Sequence, residues 1–192
     1  MLLHYPDGNL AGVVGVVLAF LSLWGARIGR QSGPEPQRLR DSTSIFGIAV
    51  QGLGIGAAWF GPMQLIVPDT IPLWTEGLLE AALALCGTAL FYWARATMGR
   101  NWSLVARTRS DGEVVQSGPF ALVRHPIYVA IFFMMVATAL ATGHTINLVV
   151  AIPLYVIGTL MRTNIEERLL RESFASYGDY AQRVKRFIPG VW

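Results

Sequence analysis

The sequence predicts an all-α integral membrane protein with five transmembrane helices, the N-terminus outside and the C-terminus cytoplasmic. The first observation is composition: the 192-residue chain is 53% hydrophobic and 14% charged, whereas a soluble domain has about a quarter of its residues charged. The second is a series of long uncharged stretches, and the third is the placement of the basic residues. Composition excludes a soluble globular domain, a disordered chain and, with one cysteine, a disulfide scaffold.

The uncharged stretches define the predicted helices. A transmembrane helix needs about 20 apolar residues, and backbone groups in lipid must be hydrogen-bonded within the segment, which requires helices here. Residues 125–161 contain no Asp, Glu, Lys or Arg and are long enough for two crossings with a turn at 142–145. The five predicted spans are about 9–28, 44–66, 73–95, 126–142 and 145–163.

The basic residues set the predicted topology. All 15 Lys and Arg residues fall in the segments 27–40, 95–124 and 162–186, which begin at the last residues of spans one, three and five. With five spans these three segments lie on one side of the membrane, which the positive-inside rule makes cytoplasmic. Residues 1–8 contain no Lys or Arg, so we expect the first span to be retained rather than cleaved as a signal peptide.

We expect one multi-pass domain of the inner or plasma membrane, residues 1–192, with a three-helix part at 1–95 and a chemically distinctive part at 96–192. Two segments of the second part, 97–128 and 162–189, share the predicted cytoplasmic face. The helical hairpin between them should make their ends neighbours. The cytoplasmic loop and the C-terminal amphipathic helix are therefore expected to form the functional site.

The loop before the fourth span ends in Arg124-His125-Pro126-Ile127-Tyr128. Pro126 suits the first helical turn, which places His125 at the helix N-terminus, where free N–H groups favour an anion. Arg124 adds a planar guanidinium that can bind a carboxylate through two hydrogen bonds. From these residues alone, an arginine that extends to water and an interfacial tyrosine are equally good interpretations.

The segment after the fifth span carries a pair of carboxylates. Arg162 and Glu166 are four residues apart and share one helix face. Glu166 and Glu167 are about 100° apart around the axis, so we expect that they cannot both face one ligand squarely. A solvated amphipathic helix with weak surface ion pairs is the simpler interpretation. The position of the pair opposite Arg124 and His125 favours a functional one.

Two further patterns bear on metal binding and on helix packing. His4 and His144 are expected on the opposite side of the membrane from His125, so we predict no metal site of clustered histidines. Gly52-x-x-x-Gly56 in the second span permits close approach of another helix. We favour packing within the chain over a dimer face for this motif.

Taken together, the motifs resemble one known family. Arg-His-Pro-x-Tyr at 124–128 followed by Glu-Glu-x-x-Leu at 166–170 is similar to the isoprenylcysteine carboxyl methyltransferase family and its bacterial relatives, including phospholipid methyltransferases. The resemblance covers about 97–189, roughly half the chain. Ala130 stands where many members have Gly, a difference that removes no chemical group. The supporting motifs are Gly99-Arg100-Asn101-Trp102-Ser103, Gly118-Pro119-Phe120, Tyr177-x-x-Tyr180 and Arg186-Phe187-Ile188-Pro189.

The resemblance implies methyl transfer from S-adenosylmethionine at the cytoplasmic face to a lipophilic small molecule or lipid that enters from the bilayer. It implies membrane lipids as neighbours, and neither nucleic acid nor an obligate protein partner. Arg162 and Glu166 would be the catalytic candidates beside the methyl-transfer path, and Glu167 would hold a polar group of the cofactor. The other implied cofactor-binding residues are Gln116, Gly118, Leu122, Val123, Arg124, His125, Pro126 and Tyr128.

The acceptor stays open at this point. Arg162 could orient a carboxylate, such as that of a prenylcysteine-like compound, whereas Glu166 could take a proton from a lipid amine or thiol. One alternative is an NADPH-dependent membrane reductase of the sterol-reductase type, which has a similar Arg-His-Pro-x-Tyr motif. The other is a non-enzymatic small membrane transporter or assembly factor. The Glu-Glu-x-x-Leu pair after the last span favours the methyltransferase.

Overall fold

The computed structural model describes residues 38–40, 44–60, 73–99, 107–109 and 113–191. Two three-residue strands, β1 (Arg38–Arg40) and β2 (Arg107–Arg109), pair antiparallel. The described chain is otherwise helical, in agreement with the predicted fold class. Its helices are α1 (Ser44–Trp59), α2 (Leu73–Met98), α3 (Pro126–Ala141), α4 (Leu148–Ser173) and α5 (Tyr177–Arg183), with 3₁₀ turns at Gly118–Ala121 and Thr145–Asn147.

Helices occupy the described parts of four predicted spans, of which the second, 44–66, is described only to residue 60. The first, 9–28, lies outside the described residues. Gly77–Met98 and Thr145–Ser173 are each long and apolar enough to cross a membrane. The apolar helices α1 and α3 have 16 residues each, fewer than the about 20 that a full crossing needs. The number of crossings and their orientation therefore stay predictions.

The helices pack as two pairs, α1 along α4 and α2 along α3, and contacts of α3 with α1 and α4 join the pairs. The larger core cluster consists of small and flexible side chains around Tyr155, including Met135 and Ala139. Many large apolar side chains, such as those of Leu53 and Val149, point outwards. An outer surface of this kind is typical of helices that face lipid rather than water.

Glycines allow α1 and α4 to pack closely, but they are not the predicted ones. A Cβ atom on Gly54 would lie 2.6 Å from the backbone nitrogen of Tyr155, and one on Gly158 would lie 2.4 Å from that of Gln51. Within the described residues, nothing lies within 4 Å of a Cβ placed on Gly52 or Gly56. Gly52-x-x-x-Gly56 is therefore not the motif that packs α1 against α4. Its packing against other parts of the chain stays a prediction.

The hairpin of α3 and α4 places the predicted site residues at one end. His125 is the N-cap of α3 and Pro126 is its first residue, as predicted. Gly143, at φ 73°, makes the turn that ends α3. The returning α4 continues ten residues past the predicted end of the fifth span, to Ser173. Glu166 and Glu167 consequently lie beside the start of α3.

The predicted C-terminal amphipathic helix is divided into two pieces. Phe174 adopts an extended conformation (φ −136°, ψ 111°) and ends α4, and α5 begins three residues later at Tyr177. The break turns α5 back so that its C-terminal end reaches Arg124 of the loop before α3. A single continuous helix could not make this contact.

The glycine contact between α1 and α4 predicts unequal effects of two alanine substitutions. Gly158→Ala should lower the free energy of unfolding by about 1–3 kcal/mol, because its methyl group would meet the α1 backbone, which cannot yield as a side chain can. Gly52→Ala is the matched control and should be neutral or slightly stabilising. Thermal unfolding of both variants in detergent measures the difference, and equal midpoints would contradict the packing described here.

Candidate active site

The centre of the site is a buried carboxylate, Glu167, which has no exposed surface. Arg186 binds both of its oxygens, at 3.0 Å each. Arg124 donates to Oε1 through Nε at 3.0 Å, and Arg171 donates to Oε2 at 3.2 Å. His125 Nε2 lies 3.1 Å from Oε1. We call these five side chains the Glu167 cluster.

The surroundings of Glu167 keep it ionised. Burial raises the pKa of the carboxyl, but hydrogen bonds from His125 and Arg186, with the charges of His125 and Arg124, outweigh it and lower the pKa to about 2. Glu167 lies beyond the uncharged part of α4, which ends at Met161. Because an ionised carboxylate only accepts hydrogen bonds, His125 Nε2 carries the hydrogen of the contact with it.

Arg124 connects three segments of the chain. Its Nε and Nη2 atoms bind Glu167, and its Nη1 donates to the carbonyl oxygens of Ala181 and Val184 at 2.7 and 2.6 Å. These carbonyls belong to the C-terminal end of α5, where a cation is favourable. The guanidinium that we expected to bind a ligand carboxylate therefore binds Glu167 itself.

The C-terminal tail closes the cluster from the other side. The backbone nitrogens of Arg124 and His125 donate to the carbonyl oxygens of Lys185 and Arg186, at 2.8 and 3.1 Å. The ring of Phe187 lies 5.7 Å from the ring of His125, centroid to centroid. Backbone pairing thus fixes the loop before α3 against the tail, and it places Arg186 within reach of Glu167.

His125 lies between the two adjacent glutamates. Its Nε2 contacts Glu167 at 3.1 Å, and its Nδ1 lies 3.7 Å from Glu166 Oε2. Both carboxylates therefore approach His125, while the expectation that they cannot both face one ligand squarely stays a prediction. The imidazole ring is wide enough to meet one carboxylate at each nitrogen, although the side chains leave α4 in different directions.

A second group of polar side chains lies towards the apolar part of α4, and we call it the Arg162 cluster: Arg162, Glu166, Tyr128, Gln51 and Thr159. The Tyr128 hydroxyl donates to Glu166 Oε1, and Arg162 Nη2 lies 3.8 Å from the same oxygen. The Arg162 guanidinium also lies 5.1 Å from the centre of the Tyr128 ring, a cation–π distance.

The remaining predicted cofactor residues lie along the loop before α3. Gln116 is partly exposed, and its Oε1 accepts from Arg183 at 3.2 Å. Gly118, at φ 57°, lies against the end of α2, where a Cβ atom would be 2.7 Å from Thr97 Oγ1. The Leu122 side chain is exposed, whereas Val123 and Pro126 are buried. This stretch leaves Gln116 and Leu122 accessible beside the cluster.

The structure brings together the predicted residues Arg124, His125, Tyr128, Arg162, Glu166 and Glu167. Their roles towards a cofactor or acceptor stay predictions. Sequence reasoning missed Gln51, Thr159 and the part played by Arg186, whereas the pairing of Arg171 with Glu167 follows from their i,i+4 spacing. A glutamine in the otherwise apolar stretch of α1 was the available signal, since a polar residue inside a span marks a functional or packing contact. In the described ranges, no group of three His, Cys, Asp or Glu side chains is placed to hold a metal ion.

The fold and the site together define a helical protein with two helices that are long and apolar enough to cross a membrane. Its charged site lies beside the start of α3 and the charged end of α4. Residues 80–172 match the model of the isoprenylcysteine carboxyl methyltransferase (ICMT) family. The match, which covers just under half of the chain, supports the family resemblance that the motifs predicted. The matched range contains α3, nearly all of α4 and every residue of the two clusters except Gln51 and Arg186.

Two curated relatives are similar to the chain. A nickel-cobalt-cadmium resistance protein of Alcaligenes xylosoxydans xylosoxydans is 30% identical over 118 residues, which are 60% of this chain and 54% of the relative. A cobalt-zinc-cadmium resistance protein of Cupriavidus metallidurans is 31% identical over 119 residues, 60% of this chain and 51% of the relative. The matched region thus spans about half the length of each relative.

The buried carboxylate yields a stability prediction. Glu167→Gln should lower the free energy of unfolding by about 3–5 kcal/mol, because it leaves the surrounding guanidinium groups without a counter-charge. The exposed Glu172 of the same helix provides the control, Glu172→Gln, which should change stability by less than about 0.5 kcal/mol. Thermal unfolding in detergent is the measurement, and equal effects of the two substitutions would contradict the cluster's structural role.

The lowered pKa of Glu167 also predicts a pH dependence. Its contribution to stability is complete above the ordinary carboxyl value of about 4.5 and is lost as the pH falls towards the folded value of about 2. The unfolding midpoint of the wild type should therefore fall more steeply than that of Glu167→Gln between pH 5 and about pH 2. Parallel curves for the two proteins would show that the carboxyl is not stabilised in its ionised form.

Proposed function

We propose that the protein transfers a methyl group from S-adenosylmethionine to a lipophilic acceptor at the cytoplasmic face of the membrane. The family match supports methyl transfer, and the two long apolar helices support a membrane location. The observation that carries the proposal is the meeting of His125 and Tyr128 with Arg162, Glu166 and Glu167. They meet where the uncharged part of α4 ends.

A site at this level admits two kinds of reactant. The stretch 125–161 contains no Asp, Glu, Lys or Arg, so in this proposal it faces lipid and a lipophilic acceptor approaches along it. The loop before α3 and the tail carry the polar and charged groups, so a water-soluble cofactor can approach from the other side. Methyl transfer is an in-line displacement, and holding both reactants in one line supplies much of its rate.

The accessible side chains suit the proposed cofactor. Gln116 offers an amide, Leu122 an exposed apolar surface and Glu166 a carboxylate whose side chain is 22% exposed. These groups match the polar, aromatic and cationic parts of S-adenosylmethionine. When bound, the cofactor would supply a methyl group carried on a sulfonium. A lone pair of the acceptor would bond to the methyl carbon, and the electron pair of the broken carbon–sulfur bond would stay on sulfur.

We assign different tasks to the two glutamates. Glu167 is completely buried among three arginines and His125, so it acts on a ligand by fixing His125 and Arg124. Glu166 is partly exposed and lies beside Arg162. Arg162 would orient a carboxylate acceptor, which loses no proton on methylation. Glu166 would accept the proton that an amine or thiol acceptor must lose.

A labelled-methyl transfer assay tests the proposal. Purified protein in detergent should transfer the label to a component of a total lipid extract or to an N-acetylated S-prenylcysteine. Arg162→Lys should lower kcat/KM by about 10-fold or more, because lysine cannot reproduce the planar contacts with Gln51 and Glu166. Glu172→Gln is the control and should retain full activity.

Two results of the assay would overturn the proposal. If the protein transfers methyl groups to neither acceptor class although thermal unfolding shows that it is folded, the proposed methyltransferase activity is wrong. Full activity of Arg162→Lys would instead remove this site from the reaction. NADPH-dependent reduction by the same preparation would favour the membrane reductase.

A role in metal resistance is the second candidate, since both curated relatives carry that description. The activity and the resistance role would be linked if a methylated membrane component lowered metal entry. A strain that depends on this protein should then lose tolerance to nickel, cobalt or cadmium salts when it carries Arg162→Lys. Unchanged tolerance together with lost methylation would separate the two functions.

A further inference from the structure

The side chain of Gln51 is a buried polar group in the apolar helix α1, outside the range that matches the family. Its Oε1 accepts a hydrogen bond from Arg162 Nη1 at 2.9 Å, and its Nε2 donates to Thr159 Oγ1 at 2.8 Å. Both bonds are buried and join residues more than a hundred positions apart in the chain. Burial of a polar group is favourable only when such bonds are made.

The chemistry of the partners fixes the orientation of the Gln51 amide. Arginine has donors and no acceptor, so the amide oxygen must face Arg162. The amide nitrogen then faces Thr159, whose hydroxyl oxygen can accept. One turn of α4 separates Thr159 from Arg162, so the Gln51 amide lies along α4 and contacts both residues. These two bonds fix the position of the Arg162 guanidinium relative to α4.

A second residue of α1, Gly47, packs against the same arginine. Gly47 lies one turn before Gln51, on the same helix face, and a Cβ atom there would be 2.7 Å from Arg162 Cγ. Gly158 brings the α4 backbone against the backbone of Gln51. Gly47 thus makes room for the aliphatic part of Arg162, while Gln51 binds its charged end.

From these contacts we infer that Gln51 is a positioning residue. It holds the Arg162 guanidinium in position for the acceptor and leaves its positive charge available. The inference rests on the proposed methyl transfer. Because the amide is neutral, it fixes the guanidinium without cancelling its positive charge, which Glu166 at 3.8 Å only partly offsets. Gln51 would thereby favour an acceptor with an anionic group over one with a cationic group.

Two substitutions separate position from charge. Gln51→Leu keeps a side chain of similar size but removes the bond to Arg162. It should raise the KM for an N-acetylated S-prenylcysteine about tenfold or more, the scale of one lost charge-assisted hydrogen bond. Gln51→Glu keeps an acceptor for Arg162 but neutralises its charge. It should lower the preference for this carboxylate over the matched primary amine about tenfold or more.

Binding of S-adenosylhomocysteine, measured by titration calorimetry, distinguishes positioning of Arg162 from general damage to the site. General damage would weaken this binding, whereas loss of positioning would not. Its dissociation constant should stay within about twofold of the wild-type value in both variants, because Gln51 contacts the acceptor side only. The control is Leu53→Ala, a substitution of an exposed residue of α1, which should leave KM, the preference and the dissociation constant unchanged.

The outcomes distinguish this inference from the proposed function. If the wild type methylates the prenylcysteine and Gln51→Leu leaves its KM unchanged, the inference alone fails. An increase in KM that is matched by an equal loss of S-adenosylhomocysteine affinity also overturns it, since general damage to the site would explain both. A wild type that neither binds S-adenosylhomocysteine nor methylates either probe overturns both the inference and the proposed function.

Discussion

The Glu167 carboxylate is bound by Arg124, His125, Arg171 and Arg186, and it has no surface exposed to solvent. These partners come from the loop before α3, from α4 itself and from the C-terminal tail. A buried carboxylate of this kind is stable only while its counter-charges stay in place. The position of each of these segments therefore depends on one side chain, and so does the ring of His125, which lies between the two glutamates.

Two adjacent glutamates on α4 lie in different environments and have different contacts. Glu167 is surrounded by cations, which hold its pKa well below the ordinary value, whereas Glu166 keeps part of its surface and contacts Tyr128 and Arg162. The first is suited to holding the site together and the second to meeting a reactant. The division follows from burial, because a completely enclosed carboxylate cannot reach a ligand without losing its partners.

The helical fold and the core of the site could be predicted from the sequence, because uncharged stretches and the Arg124–Tyr128 and Glu166–Glu167 motifs are local patterns. His125 as the N-cap of α3 followed from Pro126 alone. The contacts of Arg124 with the end of α5 could not be predicted, since they depend on the break at Phe174. Gln51 was missed because its partners are distant in sequence. The Gly52-x-x-x-Gly56 motif does not show which face of α1 meets α4, and that face carries Gly54 instead.

In the proposed function, the loop and tail would form the cofactor side, and α1 and the apolar part of α4 would form the acceptor side. His125, Tyr128 and Glu166 lie between these two parts of the structure. Cofactor binding at this site is the central claim. Titration calorimetry of the wild-type protein in detergent, with S-adenosylhomocysteine and with NADPH in separate experiments, tests it most directly. The account predicts saturable binding of S-adenosylhomocysteine and none of NADPH, and tight binding of NADPH without S-adenosylhomocysteine would contradict it.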